Sequence, residues 1–259
     1  METIRIEVDQ RGVARLILAR AEKHNALSAQ MMDEIAEGAQ RLGRDPAVRV
    51  VVLAAEGPTF CAGGDLAWMK AQMTLDDAAR AKEAGRLAQM LNLLNTLPKP
   101  LIGAVSGNAF GGGIGMMSVC DVAVGVEGAK FGLTETRLGL IPATIGPYVV
   151  ARMGEALARR VFMSARIFDA AEARDLGLLA RVVPALDLEA AIEFEVAPYL
   201  SCAPGAVRDA KALLRRLGPK IDEAVIADTI AALAARWSGD EAPEGVSAFF
   251  EKRKPHWQG

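Results

Sequence analysis

A chain of 259 residues with 30 basic and 32 acidic side chains carries a net charge of -2, so it has no excess of positive charge to attract nucleic acid or an anionic membrane. With 51% hydrophobic and 24% charged residues it has the balance of a folded globular protein, long enough for one large core or a core with a small appendage. Cys61, Cys120 and Cys202 are too widely spaced for a disulfide framework, and two histidines, His24 and His256, at opposite ends leave little for a zinc site or a Ser-His-Asp triad; the expectation is a cytoplasmic protein with no metal.

No apolar run follows a basic segment at the N-terminus, so no secretory signal is expected. Ile4, Ile6 and Val8 alternate, Gln10-Arg11-Gly12 turns, and Val13 to Leu18 returns, which predicts a hairpin. From Ser28 the period changes to that of a helix, with Met32, Ile35, Ala36, Ala39 and Leu42 on one face. Val48 to Ala54 is a short apolar run of the kind buried on both faces as a strand. A long helix with Leu87, Met90, Leu91 and Leu94 inward precedes Pro98 and Pro100, which force extended backbone before a strand at Leu101 to Val105. Pro100 to Cys120 is uncharged and long enough to span a bilayer. Its glycines and the Ser106-Gly107-Asn108 turn instead indicate a buried strand, a glycine loop and a buried helix. Asp121 to Val126 reads as another strand.

After Phe131 the strands thin out. Glu155 to Met163, Ala170 to Asp175, Leu188 to Ala197 and the chain from Pro204 onward read as helices, with one strand at Ala180 to Val183. The expectation is an α/β core over residues 1–199 and a helical region over 200–259, with no repeat detectable in the sequence. The tail holds more apolar positions, Leu213, Leu214, Ile221, Val225, Ile226, Ile230 and Leu233 among them, than it can easily bury alone. It is expected to pack on the core or on another subunit.

Two glycine segments each follow a predicted strand: Phe60-Cys61-Ala62-Gly63-Gly64-Asp65-Leu66 and Gly107-Asn108-Ala109-Phe110-Gly111-Gly112-Gly113. Glycine lets a backbone approach a ligand and turn its N–H groups outward, and a helix start adds partial positive charge, so two such loops side by side could bind an oxyanion. Each alone could equally be a tight turn. Gly113-x-Gly115-x-x-Ser118 nearly matches a dinucleotide fingerprint, but its last position is serine and Ser106 to Phe110 intervenes after the strand. No Gly-Lys-Ser/Thr follows, which excludes a P-loop.

Together with Lys99-Pro100, Cys120-Asp121, Phe131-Gly132-x-x-Glu135-x-x-Leu138-Gly139 and Gly245 to Lys254, these segments resemble the successive motifs of the enoyl-CoA hydratase/isomerase (crotonase) superfamily over nearly the whole chain. The resemblance implies a ββα spiral core with a C-terminal helical trimerisation region, and an acyl-CoA thioester as substrate with no separate cofactor. It places the thioester carbonyl between backbone N–H groups at Ala62 and Gly112, within a binding segment of Gly63, Gly64, Asp65 and Leu66. It sets Arg20 and Lys23 near the CoA tail, with Phe249 and Lys252 supplied by a neighbouring copy of a homotrimer or dimer of trimers.

Glu135 matches one of the family's two catalytic glutamates. The other position is Gly115, which carries no proton. Three readings stay open: a hydratase with Glu135 as its single acid/base, a Δ3,Δ2-enoyl-CoA isomerase in which one carboxylate shuttles a proton, or a non-catalytic acyl-CoA- or RNA-binding relative. The flanks Ala62 to Met69, Ala109 to Gly115 and Leu140 to Pro147 resemble the methylglutaconyl-CoA and isohexenylglutaconyl-CoA hydratases, which favours the first reading and a branched or carboxylated acyl group. A substrate carboxylate would need a cation, and Lys70 and Arg137 are candidates by position. Trp68 and Met69 could line an acyl pocket or simply pack. Asp65 is expected to cap a helix, and Cys61 has no histidine near it in sequence to activate it. Arg208, Lys211, Arg215, Arg216 and Lys220 stand against one Asp209 in residues 200–220, but with no aromatic residue among them they make no platform for a single strand of RNA.

Overall fold

The computed structural model describes all 259 residues. Two sheets organise it. The larger runs in the order β1 (Ile4–Val8), β2 (Val13–Leu18), β3 (Val50–Ala55), β5 (Leu101–Val105), β7 (Val122–Val126) and β10 (Arg181–Val183). Its first two strands form the expected antiparallel hairpin and the rest pair in parallel. Every residue of β5 and all but Ala55 of β3 are buried, which explains their unbroken apolar sequences: helices cover both faces of a parallel sheet.

The smaller sheet, in the order β4 (Thr59–Cys61), β6 (Asn108–Phe110), β8 (Lys130–Gly132) and β9 (Ile167–Asp169), is not anticipated from the sequence. Its first three strands are parallel. The two sheets together reveal a threefold repeat that the residues do not betray. Each of β3, β5 and β7 in the large sheet is followed by β4, β6 or β8 in the small one, and then by helix.

Helix α1 (Ala29–Arg44) starts where Ser28 Oγ accepts the Met31 N–H at 3.2 Å, and it buries Met32, Ile35, Ala39 and Leu42 as the period requires. A short α2 (Leu66–Gln72) leads into α3 (Asp77–Asn95), which buries Met90, Leu91 and Leu94 while Leu87 is half-buried. Helix α4 (Gly112–Val119) is buried along its whole length, so the uncharged stretch from Pro100 is core. No helix is long and apolar enough to cross a membrane.

Helices α5 (Gly146–Met153), α6 (Glu155–Phe162), α7 (Ala170–Asp175) and α8 (Leu188–Leu200) complete the body. The tail is three helices, α9 (Pro204–Leu217), α10 (Glu223–Trp237) and α11 (Glu241–Glu251). Helix α9 buries none of its residues. A satellite cluster of Leu140, Trp237, Ala242 and Val246, with Met73, Leu138, Leu233 and Phe250 packed on it, joins α10 and α11 to the body.

Candidate active site

Strands β4, β6 and β8 lie side by side with Cys61 opposite Ala109 and Phe110 opposite Gly132. Their C-terminal ends therefore open at one edge. The residues that follow them, Ala62 to Asp65, Gly111 to Gly112, and Leu133 to Glu135, are brought together there although they are far apart in sequence. This is where open parallel sheets present their ligand sites.

Glu135 opens a 3-10 turn, Glu135–Leu138. Although the residue as a whole is only half-buried, its Oε2 is shielded from solvent and has no hydrogen-bond partner. Burial pushes its carboxyl up to about 7, with a hydrogen bond from its own N–H as the only opposing influence. A carboxyl balanced between its two forms near neutral pH suits proton transfer in both directions.

The carboxylate lies against the second glycine loop. Gly111 has φ +47°, and a Cβ there would stand 2.9 Å from Glu135 Oε1. Only glycine serves both constraints. Its N–H bonds to the Gly132 carbonyl at 3.0 Å, tying the ends of β6 and β8. Gly112, the first residue of α4, has no acceptor for its N–H within the helix and sits at the positive end of the helix dipole.

The first loop corrects an expectation. The Ala62 N–H is committed to the His24 carbonyl at 3.0 Å, because residues 62–65 are zipped to residues 24–27. Leu27 donates to the Gly63 carbonyl at 2.8 Å and Asp65 donates to the Leu27 carbonyl at 3.0 Å. Since successive N–H groups of an extended segment point opposite ways, the Gly64 N–H faces away from Leu27, and it has no acceptor. Gly64, not Ala62, offers the free donor on this loop. The missed signal is Gly63: its φ of +93° turns the chain just before the exposed donor.

Asp65 accepts from the N–H groups of Ala67 at 2.9 Å and Trp68 at 3.2 Å, so it caps α2 as expected. It also pairs with Arg20 at 3.1 Å, and Arg20 donates to the Ala26 carbonyl at 2.8 Å. Burial raises the Asp65 pKa, but the Trp68 N–H, the Arg20 guanidinium and the Ala67 N–H outweigh it and hold the carboxyl below its usual range. Arg20 thus ties residues 24–27 to the first glycine loop. Lys23 and Leu66 are exposed, and Lys23 makes no ion pair.

Trp68 Nε1 donates to Glu83 at 2.8 Å, and its ring lies beside Gly64, as does Met69. Lys70 and Arg137 are exposed and without ion pairs. Phe249 and Lys252 lie at the exposed end of α11, Phe249 edge-on to Phe250 at 5.6 Å. Burial drives the Cys61 thiol up to about 12, which keeps it protonated and inert. Gly115 faces Ile145: a Cβ at 115 would come within 2.6 Å of Ile145 Cγ2. The space for a second glutamate is filled by hydrocarbon.

A family model described as enoyl-CoA hydratase/isomerase matches residues 8–259. The chain belongs to the enoyl-CoA hydratase/isomerase family. The crystal structure of an enoyl-CoA hydratase from Shewanella pealeana is 36% identical, covers 98% of this chain and 96% of its own, and superposes with a TM-score of 0.81. An enoyl-CoA hydratase from Mycobacterium avium gives 31% identity and a TM-score of 0.85 over 98% of each chain. The mitochondrial methylglutaconyl-CoA hydratase of Mus musculus is 33% identical over 98% of this chain and 82% of its own length. In fold and family this is an enzyme of the enoyl-CoA hydratase type, with the crotonase fold.

Proposed function

We propose that this enzyme adds water to a 2-enoyl-CoA thioester, with Glu135 as the single acid/base and the Gly64 and Gly112 N–H groups as donors to the thioester oxygen. The observation that carries this reading is the buried, unpartnered Glu135 carboxyl against the Gly111–Gly112 loop. In its ionised form Glu135 takes a proton from water while the water oxygen bonds to C3 of the enoyl group. The C2–C3 π electrons shift to make an enolate whose charge rests on the thioester oxygen, where each donor is worth about 3–4 kcal/mol. Glu135 then returns its proton to C2, so H and OH add across the double bond and the enzyme regains its starting state. With no carboxyl at position 115, both proton transfers come from one face, which predicts syn addition.

The flanks Ala62 to Met69, Ala109 to Gly115 and Leu140 to Pro147, similar to those of methylglutaconyl-CoA hydratases, support a branched or carboxylated acyl group. A carboxylated acyl group, such as the one named in the mouse relative, would have to draw on Lys70 or Arg137. Exposed Leu213, Leu214, Leu217 and Phe249 support a homotrimer or dimer of trimers in which the positions of Phe249 and Lys252 in a neighbouring copy meet the CoA, beside this chain's Arg20 and Lys23.

The lone carboxyl also favours a second reading, isomerisation of a 3-enoyl to a 2-enoyl thioester, in which Glu135 moves a proton from C2 to C4. Turnover in H₂¹⁸O separates the two. Hydration puts ¹⁸O into the 3-hydroxyacyl product; isomerisation leaves the product unlabelled. Glu135→Gln is expected to lower kcat by about 10²–10⁴ with KM little changed, and unchanged rates with both substrate types would remove Glu135 from the mechanism. Rates for crotonyl-CoA, a methyl-branched enoyl-CoA and methylglutaconyl-CoA rank the acyl classes.

A further inference from the structure

Helix α3 runs along the second glycine loop and the helix that follows it. Glu83, Leu87 and Leu91 stand four residues apart and so share one face of α3. A Cβ on Gly112 would lie 3.9 Å from Leu87, and one on Gly115 would lie 3.4 Å from Leu91. At the next place in this row Glu83 offers a carboxylate instead of hydrocarbon, and its Oε2 accepts the Trp68 indole N–H at 2.8 Å. The Trp68 ring stands 3.7 Å from where a Gly64 Cβ would be. Trp68, Leu87 and Leu91 thus make one apolar wall that passes the Gly64 and Gly112 donors in turn.

Trp68 sits on the short α2 and is only half-buried, so packing alone does not fix its ring. Glu83 supplies the missing constraint. Burial raises its pKa, but the Trp68 indole N–H and the Arg86 guanidinium outweigh burial and hold the carboxyl below its usual range. It stays ionised at neutral pH, and a hydrogen bond to an ionised acceptor is among the stronger ones. Arg86 meets the other oxygen, Oε1, at 3.0 Å and also pairs with Asp33 of α1. The indole is therefore anchored through α3 to α1.

We propose that Glu83 is a positioning residue: it holds the Trp68 indole as the outer end of the acyl-pocket wall and so limits the length of acyl chain that the enzyme accepts. The proposal rests on Gly64 and Gly112 being the donors to the thioester oxygen, which sets the acyl group beside this wall. A purely structural role for Glu83, tying α1 to α3 through Arg86, would leave the choice of acyl group untouched.

The test compares calorimetric dissociation constants for butyryl-CoA and decanoyl-CoA, saturated thioesters that bind without turnover. Glu83→Met removes the acceptor and frees the ring. The ratio of the two constants should then move by about tenfold in favour of decanoyl-CoA, the scale of hydrocarbon contacts in a pocket. Trp68→Phe, which has no N–H to give, should move the ratio the same way, and adding Glu83→Met to it should move it no further. Glu83→Gln keeps an acceptor for the indole and should restore the parental ratio. Arg86→Gln removes the ion pairs but not the indole bond, and should leave the ratio parental too. The rise of hydration through pH 7 set by Glu135 should persist in Glu83→Gln. The proposal is overturned if Glu83→Met and Trp68→Phe keep the parental ratio, if their effects add, or if Arg86→Gln moves the ratio as Glu83→Met does. Loss of the pH-dependent rise in Glu83→Gln also overturns it, since Glu83 would then be moving protons itself. Failure of the hydratase reading shows separately, as a parent that does not hydrate crotonyl-CoA, and the binding ratios still decide this proposal.

Discussion

Glu135 pays for its reactivity in stability. Its carboxyl has a pKa of about 7 when folded against 4.5 in the unfolded chain, so between those pH values the folded chain holds a proton that the unfolded chain has released. Stability therefore falls as pH rises through this window and levels off above it, a loss of roughly 3 kcal/mol in all. Glu135→Gln has no charge to bury. Its urea midpoint should exceed that of the parent at pH 8, and the two should coincide at pH 4. Over the same window kcat/KM of the parent should rise with pH, because attack needs the carboxylate. Gly115 makes the opposite point about the missing glutamate. A side chain there drives into Ile145, which is only 2% exposed and cannot move into solvent. Gly115→Glu should lower Tm by several degrees through overpacking, and Gly115→Glu/Ile145→Ala should recover most of it, as coupled neighbours do. Equal Tm values for the single and double variants would contradict this packing.

At the scale of elements, the large sheet and the long helices are legible because their apolar residues repeat over five positions or more. The small sheet is not. Strands β4, β6, β8 and β9 have three residues each, too few for any period, and the glycines that follow the first two of them read as loops. The site was legible as two glycine loops and one glutamate, but not which N–H is free, because that depends on the distant pairing of residues 24–27 with 62–65. A further contact with no local signal holds the Glu135 turn from behind. Gly245 of α11 lies so close to Leu138 that a Cβ would stand 2.5 Å from its carbonyl carbon, and Gly139 meets the Glu241 backbone in the same way. Gly245→Ala is expected to push α11 away from the turn and displace Glu135. Steady-state kinetics should show kcat reduced by about tenfold or more with a smaller change in KM, since a misplacement of about 1 Å can cost far more. A variant with parental kcat would show that the turn holds its position without α11.

For the whole molecule, the apolar excess of the tail was legible in the sequence, while its division was not: α10 and α11 cover the body, and α9 buries nothing. On α9, Leu213 is 46% exposed, Leu214 69% and Leu217 75%, three large apolar side chains within five positions. Scattered exposed leucines need no explanation, but a cluster on one helix marks a contact surface. If that surface joins copies of the chain, each leucine contributes about 1.5–3 kcal/mol when buried. Leu213→Ser/Leu217→Ser should then weaken association by roughly 3–6 kcal/mol, or about 10²–10⁴ in the dissociation constant. Sedimentation equilibrium reads this directly as a shift toward the monomer at micromolar concentrations. The folded chain itself should be unharmed, because neither side chain belongs to its core. Because Phe249 and Lys252 are proposed to reach the CoA of a neighbouring copy, the dissociated variant should also show a raised KM for acyl-CoA that falls again as enzyme concentration restores the assembly. An oligomer unchanged by both substitutions would place the subunit contact elsewhere on the molecule.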